Sequence, residues 1–193
     1  MEGRAACYYT SAALSTLYRT GDLTVANDWV NWSANGYRLP TEAEWEKAAR
    51  GDTPGHRFPW NDVDSIQHAR ANYLSSTNYT YDTSPTRGYH PTFSDGVTPY
   101  TSPVGYFFPN GYGLYDMAGN VCEWCWDWYG STWYTDAGAT QSDTRGPTSG
   151  TCRVLRGGGW ASYARTSRSA YRYVYDPAYE NNDLGGFRCV RGH

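Results

Sequence analysis

Only one stretch of the chain keeps a helical hydrophobic period. It runs Thr41-Glu-Ala-Glu-Trp-Glu-Lys-Ala-Ala-Arg-Gly51 after Gly36-Tyr-Arg-Leu-Pro40. Thr41 can cap the helix while Glu44, three positions on, returns a hydrogen bond to the Thr41 N–H. Glu42 and Glu44 stand in the first turn and Lys47 and Arg50 in the last, as the helix dipole prefers. Ala43, Ala48 and Ala49 permit close approach, Trp45 offers the main buried surface, and Gly51 supplies the stop. Elsewhere the apolar runs are short. Cys7-Tyr-Tyr-Thr10 and Trp29-Val-Asn-Trp32 read as extended pieces around a turn. Val104-Gly-Tyr-Phe-Phe108, Cys152-Arg-Val-Leu-Arg156 and the run from Gly185 to Arg191 are expected strands. Between them, residues 52–111 and 130–151 are punctuated by Pro, Gly and polar residues and are expected to be loop.

The stretch from Tyr112 to Tyr129 breaks this pattern. Asp116, Asn120 and Glu123 are interleaved with Leu114, Met117, Val121 and Trp124. The mixture reads as a buried turn whose apolar members anchor it and whose oxygens converge. A hard cation is one candidate, because calcium takes six to eight oxygens from carboxylates, Asn and carbonyls. An Asx-turn beside a surface carboxylate is the plainer alternative. Asn72 and Asp95 are candidate oxygens for a second cation, since the chain between them can fold back on itself. Gly157-Gly-Gly159 implies close backbone packing or positive φ. It is no phosphate cradle, because no Lys-Ser or Lys-Thr follows.

Composition changes the picture in one respect. Aliphatics are scarce, but nine Trp and nineteen Tyr supply large apolar area, so 193 residues suffice for one compact, loop-rich domain. Sixteen Lys and Arg face nineteen Asp and Glu without a basic stripe, which argues against nucleic acid. No apolar run approaches the length that would insert into a membrane. The first residues lead into no signal-peptide hydrophobic segment. Location stays open, with an extracellular or cell-surface setting compatible. Five cysteines leave at least one thiol unpaired. Cys122 and Cys125 read as packed thiols, a disulfide or half of a metal site.

The segment 161–183 carries five Tyr, three Arg, three Ser and two Asn. Tyr gives rigid contact area, Ser and Asn give adaptable hydrogen bonds, and Arg adds stacking and bidentate reach. A solvated polar loop is the alternative, but the tyrosines favour a face for a protein or other surface ligand. Its candidate residues are Ser162, Tyr163, Arg165, Ser167, Arg168, Tyr171, Arg172, Tyr173, Tyr175 and Tyr179.

Four phrases in order carry a resemblance: Gly36 to Glu46, Asn110 to Trp124, Arg153-Val-Leu-Arg-Gly-Gly158 and Gly186-Phe-Arg188. The chain resembles the formylglycine-generating enzyme, or sulfatase-modifying factor, family over about 36–191. The resemblance implies an α+β, irregular C-type-lectin-like fold in a single domain spanning 1–193. It also implies calcium at two sites. One would use Asp116 and Glu123 side chains with Gly119 and Val121 carbonyls, the other Asn72 and Asp95 side chains with Tyr73 and Val97 carbonyls. Family domains begin well before the helix, so the chain is expected to be N-terminally partial, completed by further sequence or a partner domain.

Enzymes of this family oxidise a substrate cysteine with a cysteine pair that binds copper(I). Ser162 and Ser167 stand at the pair's positions, and a hydroxyl does not replace a thiolate for soft copper. Oxidase chemistry and copper are therefore not expected, although an oxidoreductase acting on a sulfur group stays as the alternative. Some noncatalytic members are variable proteins of diversity-generating retroelements, in which Tyr, Ser, Asn and Asp are scattered between a Gly-Gly-x-Trp segment and a final Gly-Phe-Arg. Residues 161–183 resemble such a cassette. A noncatalytic binding domain on a calcium-stabilised scaffold is the reading that results.

Overall fold

The computed structural model describes residues 3–178 and 183–192. The elements are β1 (Tyr37–Arg38), α1 (Glu42–Arg50), β2 (Cys122–Trp128), β3 (Arg153–Arg156), β4 (Tyr173–Tyr175), β5 (Gly185–Gly186) and β6 (Val190–Arg191). A four-stranded sheet has the order β4-β3-β2-β5, with β2/β3 and β3/β4 antiparallel and β2/β5 parallel. A second, two-stranded sheet pairs β1 with β6 antiparallel. This small mixed set of strands among long irregular connections is the α+β, lectin-like fold that the resemblance implies.

Helix α1 forms as its local signals dictate. Thr41 Oγ1 accepts from the Glu44 N–H, Glu44 Oε2 accepts from the Thr41 N–H, and Gly51 closes the helix at φ 54°. Trp45 and Ala49 are buried with Met117, Cys125 and Val154 in one core cluster. A second cluster joins Phe58, Ile66, Ala71, Tyr73, Ala118 and Ala164, and a third places Trp126 against Cys7, Val25, Val30 and Ala34. Aromatic bulk does take the place of the missing aliphatics.

Two expectations need correction. The stretch expected as a buried turn divides in two: Asp116 and Asn120 hold positive φ in turns, and Cys122–Trp128 is the central strand. Its hydrophobic signal is hidden because it buries Glu123 and Asp127 along with the apolar residues. Val104–Phe108 is a turn, not a strand, with Val104 and Phe108 more than nine-tenths exposed. Within segment 161–183, β4 pairs with β3 from just before it.

Candidate functional site

The face begins where β3 ends. Gly157 and Gly158 take φ of 87° and 73°, and a Cβ on Gly158 would lie 2.8 Å from Thr166 Oγ1 and 3.0 Å from the Ser167 nitrogen. Only glycine lets the chain turn this tightly against the segment that follows. Ala164, Thr166, Ser167 and Ser169 are then buried, which pins that segment down. Main-chain bonds complete the fastening: Leu74 N donates to Ser162 O at 2.9 Å and Ser169 N to Arg57 O at 2.8 Å.

The predicted side chains fall into three groups. Tyr163 and Arg165 are exposed, with Arg168 and Tyr171 half-buried beside them. Tyr163 meets Tyr79 (ring centroids 6.2 Å), Tyr79 meets Tyr81, and the Arg168 guanidinium lies 5.5 Å from the Tyr171 ring centre. Tyr173 and Tyr175 lie elsewhere, lining a pocket with Cys122, Leu155 and Trp160, and Tyr175 meets Trp124 edge-on. Arg172, Ser162 and Ser167 point inward or sideways. Arg172 forks onto Glu42 (2.6 and 2.8 Å) and donates to Gly130 O. Ser162 contacts the Cys122 thiol, which burial pushes up to about 11 while that hydrogen bond pulls against it. Ser167 Oγ is buried without a hydrogen-bond partner. Tyr179 lies outside the described residues.

The residues expected at the hub reach separate partners. Asn120 Oδ1 accepts from Ser102 N and Asn120 Nδ2 donates to Ser102 O. Glu123 accepts from Trp45 Nε1 (2.6 Å) and from Arg188 Nε and Nη2 (2.5 Å each). Asp116 Oδ2 accepts from Gly105 N at 2.7 Å, while Asp116 Oδ1 is buried with no hydrogen-bond partner. Val121 packs its side chain against Gly186. Gly119 sits on Asn72, where a Cβ would lie 2.4 Å from the Asn72 carbonyl oxygen, and Asn120 N donates to that oxygen.

The residues expected in the second set have separate surroundings, with Asn72 buried and Asp95 and Val97 exposed. The Asn72 amide nitrogen donates to Tyr100 O, and its Oδ1 is buried and unpartnered. The Tyr73 carbonyl bonds to His68 Nε2, and Asp95 Oδ1 accepts from Val97 N on an exposed turn. Among the described residues no group of three or more His, Cys, Asp or Glu side chains is arranged to hold a metal. The five thiols are free, with Cys122 and Cys125 buried separately along β2.

With this geometry in view, residues 11–193 match the sulfatase-modifying factor enzyme 1-like domain. The chain belongs to this family. Its relatives include the formylglycine-generating enzyme of Thermomonospora curvata, 43% identical over 84% of this chain and 51% of that protein. Among solved structures, this sulfatase-modifying-factor domain is similar to Treponema denticola variable protein 1 (33% identity, TM-score 0.62, 86% of this chain and 53% of that one). It is also similar to PvdO from Pseudomonas aeruginosa (32% identity, TM-score 0.59, 81% and 53%). The domain thus spans about half the length of these relatives.

Two features of the domain escaped sequence reasoning. His68 and His90 are buried, ring centroids 5.0 Å apart, each bonding to backbone or hydroxyl at both ring nitrogens. Scattered in loop sequence, they gave no signal. The second is a cleft of about 610 Å³ beside α1, lined in part by Glu42, Asp127, Trp133 and Tyr134. Burial pushes the Asp127 carboxyl up to about 7, although it accepts from Glu42 N. Asp127 lies in the stretch expected as a buried turn and was not singled out there, so only packing reveals it.

Proposed function

We propose that the chain is a noncatalytic ligand- or protein-binding domain whose contact face is centred on Tyr163, Arg165, Arg168 and Tyr171. One observation carries the reading: these outward side chains stand on a segment whose inward residues and main-chain bonds are fixed. A rigid frame carrying changeable contacts is the design of a recognition surface. The likeness to a variable protein supports it. So does the pair of serines, Ser162 and Ser167, at the positions where the family's oxidases hold copper. Sequencing codons 155–190 across a population of the source organism tests it. Substitutions gathered at the outward positions, with Ser167, Arg172 and the flanks constant, are the expected outcome. Changes spread evenly over inward and outward positions would overturn the diversified face.

Calcium remains part of this reading. The buried, unpartnered oxygens Asn72 Oδ1 and Asp116 Oδ1 fit a hard cation, which would supply the charge that satisfies them. Asp95, and the carbonyls of Tyr73, Val97, Gly119 and Val121, would complete the two sets. Glu123 is a poor reporter, because its loss also strands Arg188. Asp116→Ala is the better variant: it should lower the melting temperature in calcium and much less in excess chelator. Equal losses would rule the cation out. The oxidoreductase alternative draws on the 43% identity to a formylglycine-generating enzyme. Copper(I) titration of the whole chain separates it, since tight thiolate-type binding is expected only of an oxidase.

A further inference from the structure

The face has a second half that lies outside segment 161–183. Arg57, Tyr79 and Tyr81 come from the long connection after α1, and backbone bonds to Ser162 and Ser169 hold that connection in place. Arg57 stacks over Tyr81, 4.5 Å from its ring centre, and Tyr79 bridges Tyr81 to Tyr163. Burial pushes the Tyr81 hydroxyl up, and the charges of Arg168, Arg57 and Arg165 pull against it. Arg57 thus stacks on Tyr81 while Arg168 lies by Tyr171, and Tyr79 links the two sides through Tyr163. Asp64 offsets Arg57 at 3.3 Å, but among the described residues no carboxylate lies within ion-pair distance of Arg165 or Arg168. The chain as a whole carries a net charge of −3, so this uncompensated positive face stands against the general balance.

Building on the binding-face reading, we infer that this face takes an acidic peptide segment of a partner protein, with Arg165 and Arg168 pairing its carboxylates and the tyrosines packing on its side chains. Guanidinium forks match carboxylates in planar, bidentate geometry. A nucleic acid is the less fitting polyanion. Its binding rests on neutralising many phosphates, and the two unpaired arginines of this face, on a net-negative chain, neutralise few. Arg165 and Arg168 set the partner's charge class, while Arg57, Tyr79 and Tyr81, outside segment 161–183, add the stacked aromatic surface beside them.

The test is an unbiased twelve-residue peptide display library selected on the whole chain, with the double variant Arg165→Gln/Arg168→Gln as counter-target. Neither arginine makes an ion pair, and thermal melting of the variant checks that it folds; Arg165→Gln alone, whose guanidinium makes no hydrogen bond in the structure, serves as a second variant. Recovered peptides should be rich in Asp and Glu. Synthetic copies should lose roughly tenfold in affinity on the double variant, and more on going from low to moderate salt. Peptides without acidic enrichment, or binding unchanged in the double variant, would overturn the acidic partner and leave the binding face standing. Tighter binding of a single-stranded oligonucleotide than of any acidic peptide would also overturn it. Recovery of no peptide would overturn it too, with the codon sequencing still judging the face separately.

Discussion

Arginine does opposite work in two regions of this domain. Against α1 and β2, three arginines close on carboxylates, while Arg153 stacks on Trp126 and Trp128 and donates to the Trp126 carbonyl. Fully buried Arg156 pairs with Glu46 and reaches Glu42 at 3.7 Å, Arg172 forks onto Glu42, and Arg188 onto Glu123. Between Arg156 and Arg172 in the chain, Arg165 and Arg168 pair with no acid among the described residues, and Arg168 stands beside Tyr171. Desolvated charge is tolerable only when matched, so the first group is committed to the fold. The second costs the fold little and is free for a partner. Residue type alone does not separate structural from recognition arginines; burial and the partners each guanidinium already holds do.

The sharpest way to break the contrast is Arg156→Met, which removes a fully buried guanidinium from between Glu42 and Glu46 and leaves those carboxylates to Arg172 and Arg50. We expect a loss of about 3–5 kcal/mol in urea unfolding. Gly158→Ala, at the junction between the two regions, should cost about 2 kcal/mol, because its φ of 73° and the 2.8 Å approach to Thr166 Oγ1 both resist a Cβ. A smaller effect appears with pH. Burial lowers the His68 and His90 values, so the folded state holds fewer protons than the unfolded one. Their contribution is present above the ordinary value of 6.5 and is lost as pH falls toward the folded values. Asp127 works the other way: its carboxyl, raised to about 7, contributes most below its ordinary 3.8 and loses that contribution as pH rises through about 7. Asp127→Asn should therefore make stability rise more steeply with pH between about 4 and 7, read by denaturant midpoints. The least effect belongs to Arg165→Gln/Arg168→Gln, within about 0.5 kcal/mol of the parent. A larger loss would mean that these arginines are structural after all.

What the sequence disclosed depended on how local the cause was. Helix α1 was legible to its last residue because Thr41, Glu44 and Gly51 act within a few positions of one another. The burial of Glu42 was not, since it depends on Arg172 across the sheet. β2 was misread as a turn because its buried Glu123 and Asp127 are satisfied by Arg188 and by the N-terminus of α1, partners distant in sequence. Half of the candidate face was visible in the tyrosines and arginines of 161–183. The other half, Arg57, Tyr79 and Tyr81, sits in a loop with no period of its own, and only long-range packing brings it there. Asn72 and Asp116, named for their oxygens, are two of six described positions where a buried side-chain oxygen lacks a hydrogen-bond partner, with Ser102, Thr144, Ser167 and Ser169.

The bonds that fasten residues 162–171 are drawn largely from the peptide backbone. Leu74 N meets Ser162 O, Ser169 N meets Arg57 O, Tyr171 N meets Arg168 O, and Arg156 Nη1 holds Tyr171 O at 2.5 Å. Those links are blind to side-chain identity. The outward positions can therefore be rewritten wholesale, in nature or in a synthetic repertoire, while the mounting stays the same.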